Sequence, residues 1–419
     1  MSLHKTTVKQ SRIEGLDRGE YALYLGVPYG KVPREISRFA QSQMVDSWEG
    51  TCFAKKQGAI AWQEIPEKGS FYEKEFYAND DTFLNCSEDC LYLNIWTPAK
   101  SAGDRLPVLF WIHGGAFDHG YSMEKEFDGE EYCKRGIILV TIQYRLGIFG
   151  FPAHPWMDAG EENPGIRDQL TALQWIYENI HSFGGDSQKI TVAGQSAGGV
   201  SVQALLTMPE ARPMIHQVIL QSGGGYGQLK SRAHDMETHK TYGSKLMEEM
   251  KIASREELEH IPAEELLHLA QKYQFKSRLV MEQGEENLYE RWDKSIPCLL
   301  GSNKNDIRVT DEMLKKGIPS DLYIGNIEFA RHFKGNGKCF LYYFKHKLPG
   351  DTAGSFHSSE LWYMFGTLQR SWRPFNTQDR ELSKRMLDAW SLFIQKGYPM
   401  DEKEWKAYDE QSAQIYHWV

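Results

Sequence analysis

The sequence predicts an α/β fold with a central, mostly parallel twisted sheet covered by helices on both faces, and three observations carry that prediction. Six short apolar runs, at 106–112, 137–144, 190–193, 218–221, 296–300 and 339–344, are continuous rather than alternating, as expected of strands buried on both faces. Amphipathic helical patterns occupy 165–180, 196–207, 234–250 and 380–395 between or after those runs. Such alternation makes neighbouring strands parallel, because each helix returns the chain to the same end of the sheet. The third observation is a strand that runs straight into a helix through Gly194-Gln195-Ser196-Ala197-Gly198. That turn is sharp enough to lift a serine hydroxyl above the sheet.

Each segment has its own local reason. Residues 1–100 break the alternation with short β-like pieces and many turns, and are expected to form an N-terminal antiparallel edge leading into the main sheet. Within 165–180, Ile166, Leu170, Leu173, Ile176 and Ile180 share one face, and Pro164 suits a first helical turn, where its missing N–H is not needed. Residues 226–295 are charged and helical with no strand pattern, and read as a reduced helical cap inserted over the top edge of the sheet. No repeat, low-complexity tract or linker interrupts the chain, so residues 1–419 read as a single domain.

Composition narrows the function. Lys and Arg number 48 against 57 Asp and Glu, a net charge of −9, which argues against nucleic acid or an anionic membrane surface as a partner. No apolar run approaches the roughly 20 residues that span a bilayer, and the N-terminus lacks the apolar core of a secretory signal. Six cysteines, at 52, 86, 90, 133, 298 and 339, form neither metal-type pairs nor a dense disulfide framework. The expectation is a reduced, cytoplasmic enzyme, a monomer or weak homo-oligomer, acting on a small molecule with no metal or cofactor.

A serine nucleophile needs a base, a group that holds the base, and donors for an oxyanion. His113-Gly114-Gly115-Ala116-Phe117 follows the apolar run 106–112 and supplies the donors. Its small residues let backbone N–H groups approach a tetrahedral intermediate, so Gly115 and Ala116, with Ala197 after the nucleophile, are the expected oxyanion hole. The base must follow Ser196; His234, His239, His260 and His268 lie in polar helical stretches, His216 precedes a strand, His332 and His346 flank one, and His417 is terminal. His357 differs, standing in a loop of small residues before an apolar helical run. For the acid, the run 296–300 leads through a turn to Asp306, with Asp311 as competitor; either one also suits a turn or cap.

Together these pieces resemble the type-B carboxylesterase family of α/β-hydrolases, which includes bacterial para-nitrobenzyl esterases and the cholinesterases. The resemblance rests on Gly26-Val-Pro-Tyr-Gly, Ser87-Glu-Asp-Cys-Leu-Tyr-Leu-Asn-Ile-Trp, Phe110-Trp-Ile-His-Gly-Gly-Ala-Phe, Asn163-Pro-Gly-Ile-Arg-Asp-Gln, the elbow, Gly301-Ser-Asn-Lys-Asn-Asp and His357-Ser-Ser-Glu-Leu. It implies the α/β-hydrolase fold, serine carboxylesterase chemistry through an acyl-enzyme, and the triad Ser196–Asp306–His357, with Asp306 rather than Asp311 at the acid position. An amidase or lactonase would use the same machinery, and a non-catalytic adhesion relative would lack it.

Four departures from the family pattern stand out. Gln195 replaces the usual Glu before the nucleophile, and Asp306 followed by Ile307 replaces Glu followed by Gly. Cys90 lacks the usual upstream partner in Gly58-Ala-Ile-Ala-Trp-Gln, leaving it reduced or paired with Cys52 or Cys86. The chain is also shorter than typical members, with the shortfall between about 226 and 295, which implies a more open site. Gln195 and His113 are expected to support the site from behind. Phe117, Trp62, Trp362, Tyr363 and Phe365 are expected to line an apolar pocket for aryl or short-chain acyl esters.

Overall fold

The computed structural model describes residues 2–31, 37–64, 66–78, 85–281, 295–332, 337–411 and 413–419. Among the described residues its largest sheet has ten strands. In chain order they are β1 (Leu16–Asp17), β2 (Ala22–Pro28), β3 (Tyr92–Thr97), β4 (Leu106–Ile112), β5 (Ile138–Ile142), β6 (Gly185–Gln195), β7 (Gln217–Gln221), β8 (Cys298–Asn303), β9 (Cys339–Phe344) and β10 (Tyr416–Trp418). Their spatial order is β1-β2-β3-β5-β4-β6-β7-β8-β9-β10. Pairs from β1 to β5 across β2 and β3 are antiparallel, and every pair from β5 onward is parallel. A second, three-stranded sheet joins Lys5–Thr7, Arg12–Glu14 and Thr51–Phe53.

The continuous apolar runs are explained by the two faces they serve. In β4, Val108, Phe110 and Ile112 enter one core, while Leu109 and Trp111 enter the other. The first core is covered by α1 (Pro164–Asn179), through Ile166, Leu173 and Ile176, and by α2 (Ala197–Thr207), through Val200 and Leu205. The second is covered by the C-terminal helix Thr377–Lys396, through Trp390, Phe393 and Ile394. That helix starts one turn earlier than its apolar pattern, because Asn376 and Asp379 form a reciprocal capping box.

A buried ion pair locks the loop after β5 to α1. Arg145 Nη2 lies 2.7 Å from Asp168 Oδ1, and the backbone N–H of Arg145 donates to Asp168 Oδ2 at 3.0 Å. Removing one member of such a pair leaves a buried charge without compensation, so Asp168→Ala is expected to lose about 3–5 kcal/mol. Chemical denaturation measures this; a loss below about 1 kcal/mol would mean the pair does not anchor the loop.

The segment expected to be a cap holds α3 (Met236–Met250), the short helix Arg255–His260 and α4 (Ala263–Lys272). Leu246, Met247, Met250 and Leu266 from these helices pack with Phe39, Ile148 and Phe149. One expectation is corrected: the segment contains a parallel strand pair, Ala233–His234 with Leu279–Val280. Two-residue strands are too short to leave a pattern in sequence. Residues 282–294 of the expected cap lie outside the described residues. No described helix is long and apolar enough to cross a membrane.

Candidate active site

The parallel strands end in register, which gathers their following loops at one edge. Gly194 pairs with Ile112, and Gln195 with Gln221, which itself pairs with Gly301. Ser196 follows β6 directly and has φ 54° and ψ −122°, a region that a serine occupies only when its surroundings force it. Those surroundings are close backbone. Its N–H donates to Gln221 O at 2.8 Å, and its carbonyl accepts from Val200 N at 3.1 Å. Gly198 must be glycine for the same reason, since a Cβ there would overlap the Ile112 carbonyl oxygen.

The loop after β4 runs through positive φ at Gly115 (100°), Ala116 (58°) and Phe117 (70°). Among the described residues, no protein acceptor takes the N–H groups of Gly115, Ala116 or Ala197. Ala197 opens α2, where an unused N–H is expected and the helix dipole favours negative charge. Gly114, Gly115, Ala116, Gln195, Ser196 and His357 line one cavity of about 190 Å³.

His357 and Asp306 are joined directly. His357 Nδ1 lies 2.5 Å from Asp306 Oδ1, and the second carboxylate oxygen accepts from Ser222 Oγ at 2.8 Å and Asn303 N at 2.9 Å. These contacts aim the carboxylate at the ring. Asn303 also fastens the histidine loop, its amide donating to Phe356 O at 2.7 Å. Asp311, the competitor, begins the helix Asp311–Lys316 as an exposed first-turn residue. The imidazole Nε2 accepts from Gln195 Nε2 at 3.1 Å, so the tautomer with a lone pair on Nε2 is the one these contacts favour. Ser196 Oγ makes no hydrogen bond among the described residues; Gln195 sits on the ring atom a base would use.

Two supports were not evident in sequence. Glu360 is fully buried, accepting from Asn303 Nδ2 at 2.5 Å and Gln221 Nε2 at 3.3 Å. Burial, with Asp306 nearby, pushes its pKa up to about 7. It stands in His357-Ser-Ser-Glu-Leu, but nothing in that run shows that its carboxyl faces inward. Its titration has a sign. Between roughly pH 4.5 and 7 the folded chain holds a proton that the unfolded chain has lost, so this group makes stability fall as pH rises through that window. Glu360→Gln is expected to flatten the fall by about 1–3 kcal/mol, read from denaturation midpoints at pH 5 and 8. An unchanged difference between the two would contradict the assignment. The second support, Ser222, has φ 45° and holds Asp306 from β7.

His113 lies behind the loop that follows β4. It stacks on Tyr144 with ring centroids 4.4 Å apart and bonds Gly114 O at 2.9 Å. Burial pushes its pKa down to about 3, keeping it neutral.

The aromatic pocket expectation is largely corrected. Phe117, Trp362, Tyr363 and Phe365 are fully buried in the two main cores and do not line the cavity at Ser196. Phe117 turns at positive φ onto Phe151, and Trp362 donates to Glu75. Trp62 lines a neighbouring groove of about 1050 Å³ that includes Glu264, Leu267 and His268 of α4 and shares Tyr72, Tyr77 and His119 with the serine cavity. The aromatics at the serine are instead Tyr72, Phe76, Tyr77 and Phe127, with Ile307 and Arg232 also on the wall. Cys52, Cys90, Cys133, Cys298 and Cys339 are free thiols.

A serine at positive φ between strand and helix, with a joined His–Asp pair in loops at the same sheet edge, defines a serine hydrolase of the α/β-hydrolase fold. The model of the carboxylesterase family matches residues 3–321 and 320–418. The chain therefore belongs to the carboxylesterase family and is a carboxylic ester hydrolase of type B. It is 28% identical to a para-nitrobenzyl esterase of Bacillus subtilis (strain 168), over 97% of this chain and 93% of that one. It is 27% identical to a medium-chain fatty acyl-CoA hydrolase precursor of Anas platyrhynchos, over 92% of this chain and 82% of the other. A solved PNB esterase superposes with TM-score 0.85 at 26% identity, covering 99% and 96% of the two chains. The Geobacillus stearothermophilus carboxylesterase EST55 does so with TM-score 0.79 at 27% identity and the same coverage.

Proposed function

We propose that this enzyme hydrolyses aryl or short-chain acyl esters through an acyl-enzyme on Ser196, with His357 as general base and acid and Asp306 as the residue that orients it. The observation that carries this reading is the short Asp306–His357 contact beside Ser196 in one cavity. Substrate binding moves Nε2 of His357 from the Gln195 amide to the Ser196 hydroxyl. The hydroxyl oxygen attacks the ester carbon as Nε2 takes its proton, and Asp306 stabilises the imidazolium. Gly115, Ala116 and Ala197 N–H groups receive the oxyanion. The imidazolium then protonates the departing alcohol. Water, deprotonated by the same nitrogen, releases the acid and restores Ser196.

A cavity of about 190 Å³ at the serine, bounded by Tyr72, Phe76 and Tyr77, supports small acyl groups and flat leaving groups. Free cysteines support a reducing, cytoplasmic setting, and the likeness to a Bacillus esterase supports a bacterial one. We read the enzyme as a monomer or weak homo-oligomer. The test is a series of 4-nitrophenyl esters of graded acyl length, with methyl ferulate and a matched anilide and lactone. Highest kcat/KM is expected on acyl chains of two to four carbons. A maximum at eight carbons or more, or faster turnover of the anilide or lactone, would overturn the reading.

A further inference from the structure

The serine cavity has a neighbour of about 320 Å³, and the two share Ile307 and Arg232. Arg232 is fixed by its backbone, its N–H donating to Leu229 O at 3.2 Å and its carbonyl accepting from Leu279 N at 2.9 Å. Its guanidinium has no hydrogen bond and no ion pair among the described residues. The buried arginines elsewhere are different. Arg38 holds Glu88, Arg145 holds Asp168, and Arg373 holds both Glu75 and Asp351. A partly buried guanidinium without a carboxylate is costly to keep, and this one lies beside the reacting centre.

Its surroundings add positive charge. Arg308 lines the second cavity, and with burial, Arg308 and Arg278 hold the Arg232 pKa below the ordinary arginine value; Asp118 pulls the other way more weakly. Asp118 itself accepts from Ser277 Oγ at 2.6 Å. Other carboxylates on the two cavities are engaged or placed elsewhere. Glu328 holds Arg331, Glu124 accepts from Tyr77 and the Tyr121 N–H, and burial beside Glu124 pushes the Glu126 carboxyl well above the usual range. Asp321 is exposed in the first turn of the helix Asp321–His332.

We propose that Arg232, with Arg308 beside it, binds a carboxylate carried by the ester substrate, making this an esterase for anionic esters such as hemiesters of short dicarboxylic acids. The guanidinium offers the planar pair of donors that a carboxylate matches. The assignment rests on Ser196 as nucleophile, because only then is Arg232 at the wall of the reacting site.

The test compares two pairs of esters. Monomethyl glutarate against methyl butanoate places the carboxylate on the acyl side; 4-acetoxybenzoate against 4-methylphenyl acetate places it on the alcohol side. At low salt, kcat/KM is expected to favour the anionic member of one pair by roughly tenfold or more, as a charge-assisted contact implies. Arg232→Gln is expected to bring that ratio to about one, and Arg232→Glu to invert it, whatever change the two esters share. The ratio should also fall as salt rises. A native ratio near one in both pairs, or a ratio that Arg232→Gln leaves unchanged, overturns the proposal while leaving Ser196 in place. No hydrolysis of either neutral ester would overturn the serine reading, and this inference with it.

Discussion

His357→Ala is expected to lower kcat on 4-nitrophenyl acetate by roughly 10⁶-fold, with KM changed by no more than a few-fold. The reason lies in what one imidazole does here. Its Nδ1 side is held by Asp306 at 2.5 Å, leaving Nε2 as the one nitrogen available to take the hydroxyl proton and return it to the leaving alcohol. Alanine removes both transfers. The N–H groups of Gly115, Ala116 and Ala197 remain, so a residual rate above that in water should persist. His357 lies on the cavity wall, and folding should survive the change; a native-like unfolding transition is the control. A loss of less than about 10³-fold would mean another group carries the proton.

Asp306→Asn is expected to cost roughly 10⁴-fold in kcat with the fold intact. The carboxylate accepts from His357, Ser222, Asn303 and Ile307. An asparagine satisfies Ser222 and Asn303 through its carbonyl but turns an amide N–H toward the ring. The imidazole must then carry its proton on Nε2, the wrong tautomer for a base. Asp306→Glu is the informative companion, because it restores the charge with a longer arm. Steady-state kinetics of the two variants separate charge from reach: a normal rate in Asp306→Asn would contradict the role given to the acid.

The sequence made the elbow legible because its constraint is local. Gly194, Ser196 and Gly198 must fit a strand-to-helix turn, and that demand is written into adjacent residues. The loop after β4 was legible for the same reason, small residues directly after an apolar strand. His357 and Asp306 required chain order as well, since 51 residues separate two groups that meet in space. Direction of a side chain was less legible. Trp362, Tyr363 and Phe365 follow His357 within eight residues, yet all three turn into the core around Trp390 and Trp111. Tyr72, Phe76 and Tyr77, which do reach the serine cavity, come from a short charged segment with no apolar period. Glu360 and Arg232 were hidden because burial and a missing partner are properties of three-dimensional surroundings. The strand pair at 233–234 and 279–280 was hidden by its brevity.

Gln195 connects these levels. It is legible as a departure before Ser196, but only the structure puts its amide on His357 Nε2 at 3.1 Å. The serine reading therefore includes a resting contact that substrate must displace.

The central claim is that Ser196 is the nucleophile, and covalent capture tests it most directly. Native enzyme treated with a fluorophosphonate and analysed by intact mass and peptide mapping should carry one adduct, on the peptide containing Ser196. Ser196→Ala should carry none and lose ester hydrolysis in parallel. An adduct on a different serine, or undiminished hydrolysis by Ser196→Ala, would contradict the account.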